Sequence, residues 1–231
     1  MPLACIERYA GSVRTAWVVA LRQAAFLRCA AVTLAGISFF FWGLRTFLDF
    51  VEMRTGCRLD DPILALLPER DVSAFIFLII YAGAFIVICF LLPRPWAFLF
   101  ALHVFLAMQF IRAVSMYLTP LEPPVGVIPL HDPLIFQFVY GNEAKVKDLF
   151  FSGHTATLMV FLLICRRQRI LRRTFAVLTV LVGCLLLLQH CHYTIDVIGA
   201  VAMAYYASAA VDYAWLKLGM PVDKAYGIYS A

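Results

Sequence analysis

The sequence predicts an all-α, polytopic membrane protein: a single domain over residues 1–231, folded as a six-transmembrane-helix bundle with both termini cytoplasmic. Three observations carry this expectation. Of the 231 residues, 64% are hydrophobic and only 14% charged, with a mean hydropathy of +0.88. A soluble domain holds roughly 25% charged residues and an apolar share nearer 45–50%, so lipid is the expected solvent for this much apolar surface. The apolar residues gather into six stretches, and the basic residues gather between them on alternating sides.

The stretches run over 24–44, 72–92, 96–116, 152–165, 174–189 and 194–216. All but the fourth lie near the ~20 residues a spanning helix needs; the fourth is short and is expected to extend into its flanks. The N-terminal arginines (Arg8, Arg14 and Arg22 before the first stretch, Arg28 in its first turns) imitate a signal peptide. That segment lacks a small-residue cleavage site, and the stretch is long enough to span, so it reads as a retained first helix.

Orientation follows from the short loops. Six spans put the four N-terminal arginines, Arg94, the cluster Arg166, Arg167, Arg169, Arg172 and Arg173, and the tail residues Lys217 and Lys224 on one side. The opposite loops mix Arg54, Arg58 and Arg70 with Glu52, Asp60, Asp61, Glu69 and Asp71. The net charge of +5 is therefore a topology signal, and no nucleic acid is expected as a partner.

The longest connection, 117–151, is broken by Pro120, Pro123, Pro124, Pro129 and Pro133, and reads as a folded external cap. Seven cysteines carry no metal spacing. Cys29, Cys89 and Cys184 sit in apolar runs as small hydrophobes, while Cys57 and Cys191 fall in connections on one side, which leaves a bridge between them open.

Chemistry concentrates at one end of this map. Ser152-Gly153-His154 opens the fourth span, His192-Tyr193-Thr194-Ile195-Asp196 opens the sixth, and Arg112 lies near the outer end of the third. Given the alternation of spans, all three land on the same outer face. His192 and Asp196 are one helical turn apart. An Asp so placed accepts from one imidazole nitrogen and leaves the other as the reactive one, which suits His192 as a nucleophile toward phosphorus. His154 can protonate a departing alkoxide. Ser152 and Gly153 at a helix start offer a hydroxyl and free N–H groups to phosphate oxygens. Arg112, Lys145 and Lys147 are the available cations. Asp148 and Glu122 could face a cationic headgroup such as choline or ethanolamine.

Each residue also has a plainer reading. Ser-Gly-His can be an N-cap, and His-x-x-x-Asp an interfacial polar pair. His103 reads as a hydrogen-bonded packing residue, His131 as an ordinary loop residue, and the arginine run as topological with contact to anionic headgroups. Ionisable groups are costly near a bilayer, and their coincidence at one face argues for a site. A transporter or scaffold with a vestigial site would instead line a path across the membrane with polar residues.

At these residues the chain resembles the type 2 phosphatidic acid phosphatase (PAP2) superfamily, and within it the sphingomyelin synthase-like branch. Phe150-Phe151-Ser152-Gly153-His154-Thr155, with Asp148 six residues before the histidine, resembles the third motif of that branch. Gln189-His190-Cys191-His192-Tyr193-Thr194-Ile195-Asp196-Val197 resembles the fourth, Arg112-Ala113-Val114-Ser115-Met116-Tyr117-Leu118-Thr119 the second, and Leu67-Pro68-Glu69-Arg70-Asp71 loosely the first. The resemblance spans about residues 65–210.

The resemblance implies six spans, an extracytoplasmic (periplasmic or lumenal) site, and no metal or other cofactor. His192 would be the nucleophile, Asp196 its partner and His154 the acid, with Tyr117 and His190 joining Arg112, Asp148, Ser152, Gly153 and Lys147 at the substrate. The broader superfamily has Pro before Ser-Gly-His, where this chain has Phe151, and Arg six residues before its nucleophile, where this chain has Leu186. Those departures favour the synthase-like branch over an ordinary lipid phosphatase. The activity implied is a lipid phosphotransferase that moves a phosphocholine or phosphoethanolamine headgroup from a glycerophospholipid to a lipid alcohol such as ceramide, through a phosphohistidine. A phosphatase or phospholipase C-like hydrolase with the same His-His-Asp site is the alternative. The expected partners are membrane lipids; the sequence is also compatible with a homo-oligomer.

Overall fold

The computed structural model describes residues 3–132 and 145–221. Among them are seven α-helices and no strands: α1 (Leu3–Leu21), α2 (Ala24–Met53), α3 (Ser73–Leu91), α4 (Pro95–Leu118), α5 (Gly153–Ile164), α6 (Arg169–Leu188) and α7 (Thr194–Lys217). Five of these, α2, α3, α4, α6 and α7, are long and apolar enough to cross a membrane, which fits an integral membrane protein.

Two boundaries depart from the sequence expectation. α2 continues past Leu44 to Met53 because Asp49 and Glu52 find partners beside the helix end: Lys145 Nζ at 3.0 Å from Asp49 Oδ1, and the Val146 and Lys147 N–H groups donating to Glu52 Oε2. The fourth apolar stretch does not extend. α5 has 12 residues, about 18 Å at 1.5 Å per residue, short of the ~30 Å hydrocarbon core. Its start is set by Ser152, whose Oγ accepts the Thr155 N–H at 3.3 Å, and its end by the turn through Arg166. α1 is a further helix. It lies at the α3–α4 corner, where Trp17 Nε1 donates to Leu92 O at 2.7 Å and the Trp17 ring meets Phe26 and Phe98 edge-on.

The core is built on α4, α5, α6 and α7. Phe100, Val104 and Met108 of α4, Ala156 and Leu158 of α5, Phe175, Val182 and Leu186 of α6 and Ala200, Ala204 and Ala207 of α7 are all buried. Small residues let α7 close on its neighbours: a Cβ on Gly183 would stand 2.7 Å from Val197 Cγ1. His103 is the packing residue expected. Trp215 Nε1, a donor only, donates to its Nδ1 at 3.0 Å, so Nε2 carries the proton and donates to Thr33 Oγ1 at 2.7 Å.

The bundle has two chemically distinct ends. Arg94 and the Arg166–Arg173 cluster lie at one; the ends of α2 and α4 and the starts of α3, α5 and α7 meet at the other. There two connections fold over the helices. The backbones of 56–57 and 120–122 pair closely (Cys57 N–H to Pro120 O and Glu122 N–H to Cys57 O, both 3.0 Å), an approach only glycine permits at Gly56, whose Cβ would lie 2.6 Å from the Leu121 backbone. Cys57 and Cys191 are free thiols: Cys57 is exposed and Cys191 buried, each facing a backbone carbonyl.

Candidate active site

Phe77, Val127, Pro129, Leu130, Asp132, Lys145, Val146, Asp148, His154, Cys191 and His192 line a cavity of about 50 Å³ at this end. Its polar lining residues, Asp132, Lys145, Asp148, His154, Cys191 and His192, come from four separate segments, and Asp196 and Arg112 stand behind them.

The start of α7 and the connection just before it supply the first pair. His192 is 3% exposed and Asp196 fully buried. His192 Nδ1 lies 3.3 Å from Asp196 Oδ2. A carboxylate only accepts, so Nδ1 carries the proton and Nε2 keeps the lone pair. The same Oδ2 accepts the Tyr193 N–H at 3.0 Å in a capping box that starts the helix. Asp196 Oδ1 is buried with no hydrogen-bond partner among the described residues. The carboxylate is thus committed through one oxygen to the helix start and the imidazole together.

α5 supplies His154 on its first turn, half-buried, its ring edge-on to Phe77 at 5.5 Å. The Ser152 N–H donates to Asp196 O at 3.2 Å, which ties the start of α5 to the start of α7 and holds both histidines to one cavity. α4 supplies Arg112, 8% exposed. Its Nε donates to Phe151 O at 3.0 Å and its Nη2 to Asp148 Oδ1. Burial alone would raise the Asp148 carboxyl, but the charge and hydrogen bond of Arg112 outweigh it and hold the group below the usual carboxylate range. Arg112 therefore secures the 148–153 segment as well as lending positive charge. Lys145 lines the cavity and brings a second cation, its Nζ paired with Asp49.

The structure does not bring the remaining sequence candidates to this cavity. Ser152 is fully buried and serves as the α5 N-cap. Gly153 contributes shape: a Cβ there would stand 3.1 Å from Arg112 Cζ. Lys147 turns to Glu122 Oε1 at 2.9 Å and Arg54 O at 2.7 Å, and Tyr117 is exposed, its ring stacked on Phe50. Glu122 is engaged by Lys147 and the Gly56 N–H, which hold its carboxyl low. His190 sits at φ 53° and turns its ring away, Nδ1 at 3.1 Å from Val125 O and Nε2 at 3.2 Å from Leu67 O, lining a separate cavity of about 320 Å³. His131 is exposed beside Asp71.

Three contributors were not singled out from sequence. Asp132 lines the cavity and accepts from Tyr81 Oη at 2.6 Å. Cys191 also lines it, but burial pushes its thiol up, so it is no thiolate nucleophile. Gln189, fully buried, joins three segments: Nε2 donates to Ser73 Oγ at 2.7 Å and to Ile128 O and Pro129 O at 3.4 Å, and Oε1 accepts the Val72 N–H at 3.1 Å. That fixes the 127–130 roof over His192. A buried glutamine next to the His-x-His pair is the only signal the sequence offers for it. The 133–144 part of the connection read as a cap, Pro133 included, lies outside the described residues.

Residues 147–213 match the family model described as PAP2 superfamily C-terminal. The match covers just under a third of the chain and contains Asp148, His154, His192 and Asp196, while Arg112 precedes it. No curated protein and no solved structure matches the chain.

Proposed function

We propose that the chain is a membrane lipid phosphotransferase that carries a phospho-headgroup, phosphocholine or phosphoethanolamine in type, on His192 between a glycerophospholipid and a lipid alcohol such as ceramide. The observation that carries the reading is the convergence of His192, backed by Asp196, and His154 on one enclosed cavity that Asp148, half-buried and paired with the buried Arg112, also lines. The match over 147–213 supports phosphoryl chemistry of the PAP2 kind.

In this reading the His192 Nε2 lone pair attacks phosphorus and the bond to the glyceride oxygen breaks. Protonated His154 gives its proton to that oxygen, and diacylglycerol leaves. The acceptor hydroxyl then attacks the phosphohistidine, its proton returns to His154, and the P–N bond breaks. Asp196 stabilises the positive imidazole ring between the two steps. Arg112, through its fixed position behind Gly153, and Lys145 offset the phosphoryl charge. We place the site on the extracytoplasmic face of a six-span, multi-pass protein with cytoplasmic termini, because the arginines gather at the opposite end.

Hydrolysis by the same site is the second reading, favoured by the phosphatase superfamily in whose name the matched model is described. Purified protein in vesicles of glycerophospholipids plus ceramide, with His192→Ala as control, separates the two by lipid mass spectrometry. A new phosphosphingolipid and diacylglycerol in equal amounts, absent with His192→Ala, is the expected result. Diacylglycerol or free phosphate alone makes the protein a hydrolase, and turnover retained by His192→Ala removes the nucleophile assignment.

A further inference from the structure

We infer that Asp61, on the connection between α2 and α3, is a positioning residue for the His192–Asp196 pair: its carboxylate holds the first turn of α7 so that Asp196 stays committed to His192. The inference rests on the reading of His192 as the reacting histidine.

Asp61 Oδ2 accepts the Thr194 N–H at 2.6 Å, and Oδ1 accepts the Thr194 hydroxyl at 3.0 Å and the Ile63 and Leu64 N–H groups at 3.1 and 3.2 Å. Thr194 lies midway between His192 and Asp196. The first N–H groups of a helix have no partner within it and take whatever acceptor is near. At α7 the nearest carboxylate in sequence is Asp196, whose Oδ2 already serves the Tyr193 N–H and His192. Asp61 supplies a second acceptor from outside the helix, so the amide of Thr194 does not compete for Asp196. Its charge also lies against the positive end of the helix dipole.

The neighbouring residue repeats the arrangement. Tyr193 is 1% exposed. Its hydroxyl donates to Glu122 O at 2.9 Å and accepts the Leu59 N–H at 3.3 Å, while its ring packs with Leu64, Leu149 and Leu187. Between the two residues of the reacting pair, Tyr193 and Thr194 are thus gripped by the outer connections. Burial would raise the Asp61 carboxyl, but the donors from Thr194, Leu64 and Ile63 outweigh it and hold it low, so it is anionic at neutral pH. Asp61 lines the cavity that holds His190, not the one that holds His192, and so acts through Thr194.

The test uses the full chain in lipid nanodiscs. Turnover is read by mass spectrometry on added phosphatidylcholine, phosphatidylethanolamine, phosphatidic acid and ceramide. Orthovanadate, which adopts the five-coordinate geometry of phosphorus in transfer, probes the site without turnover. Asp61→Ala, Asp61→Asn and Thr194→Val are compared with Asp60→Asn, a neighbouring acid with no hydrogen bond among the described residues, and with His192→Ala. The expectation for Asp61→Ala is a kcat lower by about 100-fold at a KM changed less than about threefold. Asp61→Asn and Thr194→Val should lose less, keep Tm within a few degrees, and weaken vanadate binding by about tenfold or more; Asp60→Asn should match the parent. If His192→Ala is dead while the Asp61 variants retain kcat and vanadate affinity, the positioning role is overturned and the reading of His192 stands. If activity falls only as Tm falls, Asp61 is merely structural and the inference is overturned. If His192→Ala keeps turnover, or vanadate does not bind the parent protein, the reading of His192 fails and the inference fails with it.

Discussion

The guanidinium of Arg112 packs against the Cα of Gly153 so closely that a Cβ would come within 3.1 Å of Cζ and Nε. Arg112 cannot move aside without losing Phe151 O or Asp148. Gly153→Ala is therefore expected to displace a buried, hydrogen-bonded cation rather than a flexible side-chain end. Misplacement of this kind costs about 10²-fold in turnover, with a modest loss of Tm. Steady-state kinetics of Gly153→Ala beside Arg112→Lys checks this. A Gly153→Ala protein with parental kcat would show that the position of Arg112 does not matter to the chemistry.

Much of this geometry is legible in the sequence, because periodic hydrophobicity and the His-x-x-x-Asp spacing are local properties. Four spans, at 72–92, 96–116, 174–189 and 194–216, agree with α3, α4, α6 and α7 within a few residues. The gathering of Arg112, His154 and His192 at one end follows from counting spans. α1 is not legible because Arg8, Gly11, Ser12 and Arg14 dilute its hydropathy; it is held by tertiary contacts such as Trp17 to Leu92. The far part of α2 is hidden for the opposite reason: Asp49 and Glu52 look like loop acids until Lys145 and the 146–147 amides reach them. His190 is misleading through adjacency. It lies two residues from His192, yet its left-handed backbone aims the ring at Leu67 and Val125. Asp61 and Gln189 act over more than a hundred residues of chain, and no spacing rule records such pairs.

Asp196→Asn separates orientation from charge. The amide keeps the shape but loses the charge against the imidazole ring, and in one of its two orientations it also presents N–H to the His192 and Tyr193 donors. The expected loss is on the order of 10³-fold in kcat with little change in KM. Capture of a phosphorylated histidine should fall in parallel. Unchanged trapping with slow release would move the role of Asp196 to the second half of the reaction.

Gln189 gives a prediction about stability and water together. Gln189→Leu fills similar volume but strands the Val72 N–H and removes the donor to two roof carbonyls, at about 1–3 kcal/mol for each buried group left unsatisfied, while Ser73 Oγ keeps only its bond to Asp71. Gln189→Glu should be worse, since a carboxylate oxygen would then face the Ile128 and Pro129 carbonyls. Loosening the 127–130 roof also admits water. The ratio of hydrolysed to transferred product should rise in Gln189→Leu even where total turnover falls. A lowered Tm with an unchanged product ratio would limit Gln189 to holding the fold.

The outer connections should fail on the acid side. Asp61, Glu122 and Asp148 all have carboxyls held below their ordinary values, by Thr194 and its neighbouring amides, by Lys147 and Gly56, and by Arg112 respectively, against burial in each case. A group whose folded-state pKa is depressed contributes stability that is present above its unfolded pKa and is lost as pH falls through the folded value. The share of Tm that these three carboxylates supply should therefore hold down to about pH 4 and be lost below it. Asp61→Asn should flatten that drop, because one of the groups responsible no longer titrates. Circular dichroism melts of both proteins across this window decide the matter: an identical acid profile in Asp61→Asn would show that the carboxylate contributes nothing to holding the start of α7.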